Sequence, residues 1–219
     1  MLLQFKADVD VMDARRWTPL HLACQEGKLE VVNTLIQYGA GVNILTLEGL
    51  APVQKASNSG HVEVVKKLVE KGACVNNKDM NGNTPLHAAC GNCHADVVQF
   101  LLENEAFVDA QNGRGCTPLH MASGRGNTAI VTMLLDQKAQ VEKPENALWS
   151  PLHVACKEGH LDVVEKLLHF KATIDLKTED SLTALQLARS NGRTEVVELL
   201  LQHGAEDNEK NRAVEALLD

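Results

Sequence analysis

The chain has 219 residues, a formal charge of −8 and only 3% aromatic residues. An acidic balance argues against nucleic acid and anionic membranes as the main partner, and no apolar run approaches the roughly 18 residues of a membrane span. With 44% apolar residues but few rings, the core is expected to be aliphatic, made of Leu, Val, Ile and Ala.

The opening stretch MLLQFKADVD is charged by its sixth residue and has no apolar h-region, so no signal peptide is expected. Six cysteines in that context suggest a reducing compartment and free thiols, with a cytoplasmic setting expected and a nuclear one also open. Thr18 then reads as a helix N-cap, with Pro19 at the first helical position, where a missing N–H does no harm. Leu20, Leu22, Ala23 and Cys24 form a compact helix that Gly27 breaks. Leu29, Val31, Val32, Leu35 and Ile36 fit the apolar stripe of a second helix, and Gly39 suits a left-handed cap. From Ala40 the chain turns polar and extended, as a hairpin-like loop requires.

That unit recurs. TPLH at 18–21 returns as APVQ at 51–54, TPLH at 84–87, TPLH at 117–120, SPLH at 150–153 and TALQ at 183–186, each step being 33 residues. Ala7, Ala40, Ala73, Ala106, Ala139, Ala172 and Ala205 keep the same step. Neither short helix could bury its apolar face alone, whereas stacked copies could.

The pattern D-x-x-G-x-TPLH-x-A, carried by Asp79, Gly82, Thr84, Pro85, Leu86 and His87, resembles the ankyrin repeat. The resemblance implies an all-α solenoid of stacked helix-turn-helix units with hairpin-like loops. Six full repeats are expected at 13–45, 46–78, 79–111, 112–144, 145–177 and 178–210. Residues 1–12 read as the tail of a preceding repeat, which suggests a piece of a longer array. Residues 211–219 read as a C-terminal cap or the start of a further unit. Ala51, Gln54 and Thr46 depart from the pattern, so the second repeat is expected to be locally weak. Glu105, Lys138 and Lys171 stand where a left-handed Gly is expected.

Catalysis is not expected. His21, His87, His120 and His153 are one residue of one motif, and in ankyrin repeats that His ties neighbouring loops through backbone groups. No phosphate loop, nucleophile elbow or paired carboxylates occur at useful spacing. Cys90-Gly-Asn-Cys93-His94 mimics a haem-attachment string and half a zinc site. In register, however, Cys90 fills a small core slot and Cys93 replaces a helix-breaking Gly, so neither metal nor cofactor is expected.

What remains is binding. In ankyrin proteins the loop tips and the inner face of the first helices form a concave surface whose second, third, fifth, thirteenth and fourteenth positions vary. The fifth position here reads Trp17, Leu50, Asn83, Cys116, Trp149 and Leu182, and the second adds Leu47 and Met80. Such apolar groups in outward slots point to contact with a partner. Arg114, Arg125 and Lys157 surround Trp149 in the register. They suggest an extended peptide or partner loop with an acidic or C-terminal carboxylate near the fourth and fifth repeats. Leu35 with Val42-Asn43, and Leu68 with Val75-Asn76, match the spacing at which an oxygenase hydroxylates hairpin asparagines of some ankyrin proteins, although Asn43 and Asn76 also suit a loop-stabilising role. The expected function is a protein interaction module binding a protein or peptide on its concave face, within a larger polypeptide. The alternative is a structural spacer or regulatory cytosolic arm of a channel, receptor or kinase.

Overall fold

A computed structural model of the chain describes residues 8–207. Residues 1–7 of the expected repeat tail (1–12) and the cap or further unit over 211–219 therefore lie outside the described residues. Among those described there are twelve α-helices, and the only β-pairing is an isolated bridge between Lys177 and Thr183. The chain divides into two compact units, Met1–Pro118 and Leu119–Asp219.

In the first unit, α1 (Pro19–Gln25) pairs with α2 (Leu29–Gln37), α3 (Pro52–Ser59) with α4 (Val62–Glu70), and α5 (Pro85–Gly91) with α6 (Ala95–Glu103). First helices pack on first helices, α1 on α3 and α3 on α5, while α2, α4 and α6 pack in the same order behind them. The helices that follow are α7 (Pro118–Arg125), α8 (Thr128–Asp136), α9 (Pro151–Glu158), α10 (Leu161–His169), α11 (Ala184–Ser190) and α12 (Thr194–Gln202). In the second unit α9 packs on α10 and α11, and α10 on α8 and α12. The core is aliphatic, as composition implied. Leu20, Leu68, Leu86 and Leu101 are fully buried in the first unit, and Leu134, Leu152, Leu167 and Leu200 in the second. Each such leucine contributes about 2 kcal/mol of burial, which a helix of seven to nine residues could not obtain alone.

The TPLH motif both starts a helix and fastens one repeat to the next. Thr18 is extended (φ −99°, ψ 165°) with Pro19 at the first helical position. The Thr18 hydroxyl and N–H lie 2.9 and 3.2 Å from His21 Nδ1, and His21 Nε2 lies 3.0 Å from the carbonyl of Leu50 in the following repeat. A carbonyl can only accept, so Nε2 carries the proton and Nδ1 offers its lone pair. His87 reaches the Cys116 carbonyl (3.0 Å) and His120 that of Trp149 (3.0 Å), each in the following repeat, whereas His153 reaches the Leu176 carbonyl (2.9 Å) within its own repeat.

Gln54 corrects one expectation. Its Oε1 accepts from the Ala51 N–H (2.9 Å) and its Nε2 donates to the Asn83 carbonyl (2.9 Å). An amide thus reproduces both bonds of the histidine it replaces, so the second repeat keeps its tie to the third. Only the capping hydroxyl is missing at Ala51.

Glu105, Lys138 and Lys171 are left-handed, with φ of 62°, 63° and 64°, in the slots where Gly39 and Gly72 have φ of 89° and 83°. A side chain in that conformation costs about 1–2 kcal/mol. Lys171 is exposed, so replacing it loses little packing. Lys171→Gly is expected to raise the stability by about 1 kcal/mol in urea unfolding; an unchanged midpoint would mean that the turn carries no strain.

Candidate binding surface

The hairpins are shaped by the first residue of each repeat. Asp13 Oδ1 accepts the N–H groups of Arg15 and Trp17, both at 2.8 Å, and Asp79 Oδ1 those of Asn81 (2.9 Å) and Asn83 (2.8 Å). One carboxylate oxygen thereby folds the tip and leaves the second and third side chains facing outward. Adjacent tips are joined through the backbone: Leu47 N–H to Arg15 O (3.0 Å), Met80 N–H to Glu48 O (2.9 Å) and Gly113 N–H to Asn81 O (2.7 Å) in the first unit. In the second unit Glu179 N–H donates to Ala147 O at 3.0 Å. Leu47 and Met80 thus sit on neighbouring bonded tips, 57% and 76% exposed.

Six of the residues expected to contact a partner, Trp17, Leu47, Leu50, Met80, Arg114 and Cys116, belong to the first unit. Arg125, Trp149, Lys157 and Leu182 belong to the second. Leu50 and Cys116 are half-buried, their carbonyls taken by His21 and His87, whereas Arg114 and Arg125 are exposed and Leu182 is 36% exposed.

Both tryptophans are half-buried rather than open. Trp17 tilts against His21, with ring centroids 6.1 Å apart, and Trp149 against His153 at 6.3 Å. A lysine covers each indole: Lys55 Nζ lies 4.4 Å from the Trp17 ring centroid and Lys157 Nζ 5.2 Å from that of Trp149. These are cation–π distances. Trp17 Nε1 is buried, and the Glu48 carboxylate reaches it too loosely for a formed hydrogen bond. Burial pushes the Lys55 ammonium below the ordinary lysine range, and Glu48 opposes that shift. In the second unit Lys157 and Trp149 come together as the register suggested.

Asn43 and Asn76 are tied at both ends of the amide. Asn43 Nδ2 donates to Gly72 O (2.8 Å) and its Oδ1 accepts from Cys74 N–H (2.9 Å). Asn76 donates to Glu105 O (3.0 Å) and accepts from Phe107 N–H (2.8 Å). Each holds its hairpin to the next repeat. Asp175 plays the accepting half of this role toward Glu206 N–H at 3.1 Å.

Both ring nitrogens of His21, His87 and His153 are engaged, leaving none to act as a general base. Among the described residues no three His, Cys, Asp or Glu side chains gather as a metal site. Burial pushes the Cys24 thiol up to about 12 and drives Cys90 and Cys156 further upward, so none of the three is a ready nucleophile or metal ligand. All six cysteines are free.

A second histidine ladder, of which the sequence reading marked only His94, opens the second helices. His61 Nε2 lies 3.0 Å from Gln25 O, His94 3.0 Å from Asn58 O and His160 3.1 Å from Gly124 O, and Arg193 Nε donates to Lys157 O at 3.0 Å. The signal was available, since His61 and His94 are 33 residues apart and His160 falls two periods further on. Lys55, Asn58 and Asn92 also escaped that reading.

The stacked helix pairs, hairpin ties and TPLH fastenings define a repeat protein, and the comparisons identify which. The family model for ankyrin repeats (three copies) matches at residues 1–79, 42–112, 76–146, 105–180 and 141–212, so the chain belongs to the ankyrin repeat family. Its fold is the ankyrin-repeat solenoid, and such repeats are in general non-catalytic scaffolds for protein–protein interaction. Among solved structures it is similar to the crystal structure of the human ASB11 ankyrin repeat domain. That match has a TM-score of 0.81 and 34% identity, and covers 87% of this chain and 85% of that one. No curated protein matches it. As many as 627 solved chains match, so structural likeness establishes architecture and family without selecting a partner. No helix among the described residues is long and apolar enough to cross a membrane.

Proposed function

We propose that this chain is a binding module that takes a partner protein or an extended peptide on its hairpin tips and first-helix face. The observation that carries this reading is the exposure of Leu47 and Met80, 57% and 76%, side by side on bonded tips. A fold gains nothing from apolar groups left in water, whereas an interface gains from burying them. In the first unit Trp17, Leu50, Cys116 and Arg114 extend that surface. In the second, Trp149 and Leu182 supply apolar contact, and Arg125 and Lys157 receive an acidic or C-terminal carboxylate group.

Selection of random displayed peptides on the folded chain tests the reading. Selected peptides are expected to lose affinity by at least about tenfold when Leu47→Asp and Met80→Asp are combined, with thermal stability unchanged. Peptides that bind the double variant as well as the parent would sink it.

A further inference from the structure

Asn58 near the end of α3 and Asn92 just after α5 occupy the thirteenth and fourteenth positions of adjacent repeats. Asn92 Nδ2 donates to Asn58 Oδ1 (3.1 Å) and to Ala88 O (2.9 Å), which uses both of its hydrogens. Two groups are left over: the Asn58 Nδ2 donor and the Asn92 Oδ1 acceptor, neither with a partner among the described residues. Both side chains are exposed. The pair is fixed before any partner arrives. His94 Nε2 holds the Asn58 carbonyl at 3.0 Å, and Asn92 is tied back to its own helix. A donor and an acceptor are thus presented by two side chains bonded to each other, on a backbone that His94 holds at Asn58, which lowers the entropy cost of using them.

Their chemistry selects the ligand. In an extended chain the N–H and C=O of one residue point to the same side, as in an antiparallel ladder. An amide donor beside an amide acceptor complements that arrangement. Ala88, whose carbonyl Asn92 holds, is partly exposed and carries only a methyl group. Charge points the same way. At the variable positions of these two repeats the only charged side chain is Glu48, and it faces Lys55, whose ammonium lies over the Trp17 ring. What remains is a neutral, amide-rich patch suited to backbone rather than to a charged side chain.

We infer that Asn58 and Asn92 form a backbone clamp that grips the N–H and C=O of a single residue in an extended, uncharged polypeptide segment. The inference rests on the reading that this chain binds a partner polypeptide, and it names how the partner's main chain is held. The probe is the most enriched peptide from a random displayed library selected on the whole 219-residue chain. Asn58→Asp keeps the oxygen that accepts from Asn92 and replaces the spare donor by an acceptor. It is expected to weaken the peptide about tenfold or more with an unchanged thermal midpoint. N-methylation walked along the peptide backbone is expected to cost about tenfold at one position against the parent chain and nothing at that position against Asn92→Ala. The second experiment decides the matter if Asn58→Asp fails to fold. The clamp is overturned if Asn58→Asp binds as well as the parent, or if the N-methyl penalty persists in Asn92→Ala. Either result leaves the wider reading standing when Leu47→Asp with Met80→Asp still abolishes binding. A library that yields no binder overturns both.

Discussion

Gly60→Ala is expected to cost about 3 kcal/mol or more, and Gly72→Ala only about 1 kcal/mol, although both glycines are left-handed. Their φ values are 77° and 83°, so the backbone penalty for a Cβ is alike. The surroundings differ. A Cβ on Gly60 would lie 2.5 Å from His94 Nδ1 and 2.7 Å from its Cε1, whereas one on Gly72 meets nothing within 4 Å. The His94 ring cannot yield without giving up the Asn58 carbonyl that it holds. Gly27 stands in the same relation to His61, and Gly126 to His160, with approaches of 2.6 and 2.5 Å. This glycine serves both a turn and the seat of the next repeat's histidine. Urea unfolding of the two variants separates the effects, and equal losses would show that the ring moves aside freely.

Acidification is the second large effect. Burial holds His21, His87, His120 and His153 below the ordinary histidine pKa of about 6.5, against carbonyl bonds that raise it. The folded chain therefore takes up these protons less readily than the unfolded chain. Stability is fully present above pH of about 6.5 and is lost as the pH falls below it, by at most about 1.4 kcal/mol per pH unit for each histidine. The four histidines act in the same direction, so their losses accumulate as the pH falls below about 6.5. Thermal midpoints are expected to drop steeply below that pH. His87→Gln, which keeps the bonds as Gln54 does, is expected to flatten the slope by about a quarter. A slope unchanged in that variant would place the acid sensitivity elsewhere.

The fold was largely legible because the repeat is enforced by covalent spacing. Thr18, Pro19 and His21 announce a helix start and its fastening, and six copies at one interval leave little room for another architecture. Substitutions within the motif were harder to weigh. Gln54 looked like a defect, yet its amide carries an acceptor and a donor at the reach of the imidazole it replaces. The candidate surface was legible only as positions. Register places Trp17 and Trp149 at a variable slot. That Lys55 and Lys157 cover their faces depends on side-chain directions that spacing does not fix. Leu47 and Met80 were readable because a residue beside a tight tip has nowhere to be buried. Asn58 and Asn92 were not, since an exposed asparagine after a helix is ordinary until its neighbour's hydrogens are counted.

The ties between repeats within each unit also limit how such a chain can change length. His21 reaches 29 residues ahead, Asn43 reaches 29 and 31 ahead, and His61 reaches 36 back. Gaining or losing one whole 33-residue module returns every fastening to an equivalent partner. A gain or loss of a few residues inside a module puts several of them out of step together. Duplication and deletion in whole modules is therefore the tolerated route by which an array like this one grows or shrinks, and its length is quantised by the reach of its own side chains.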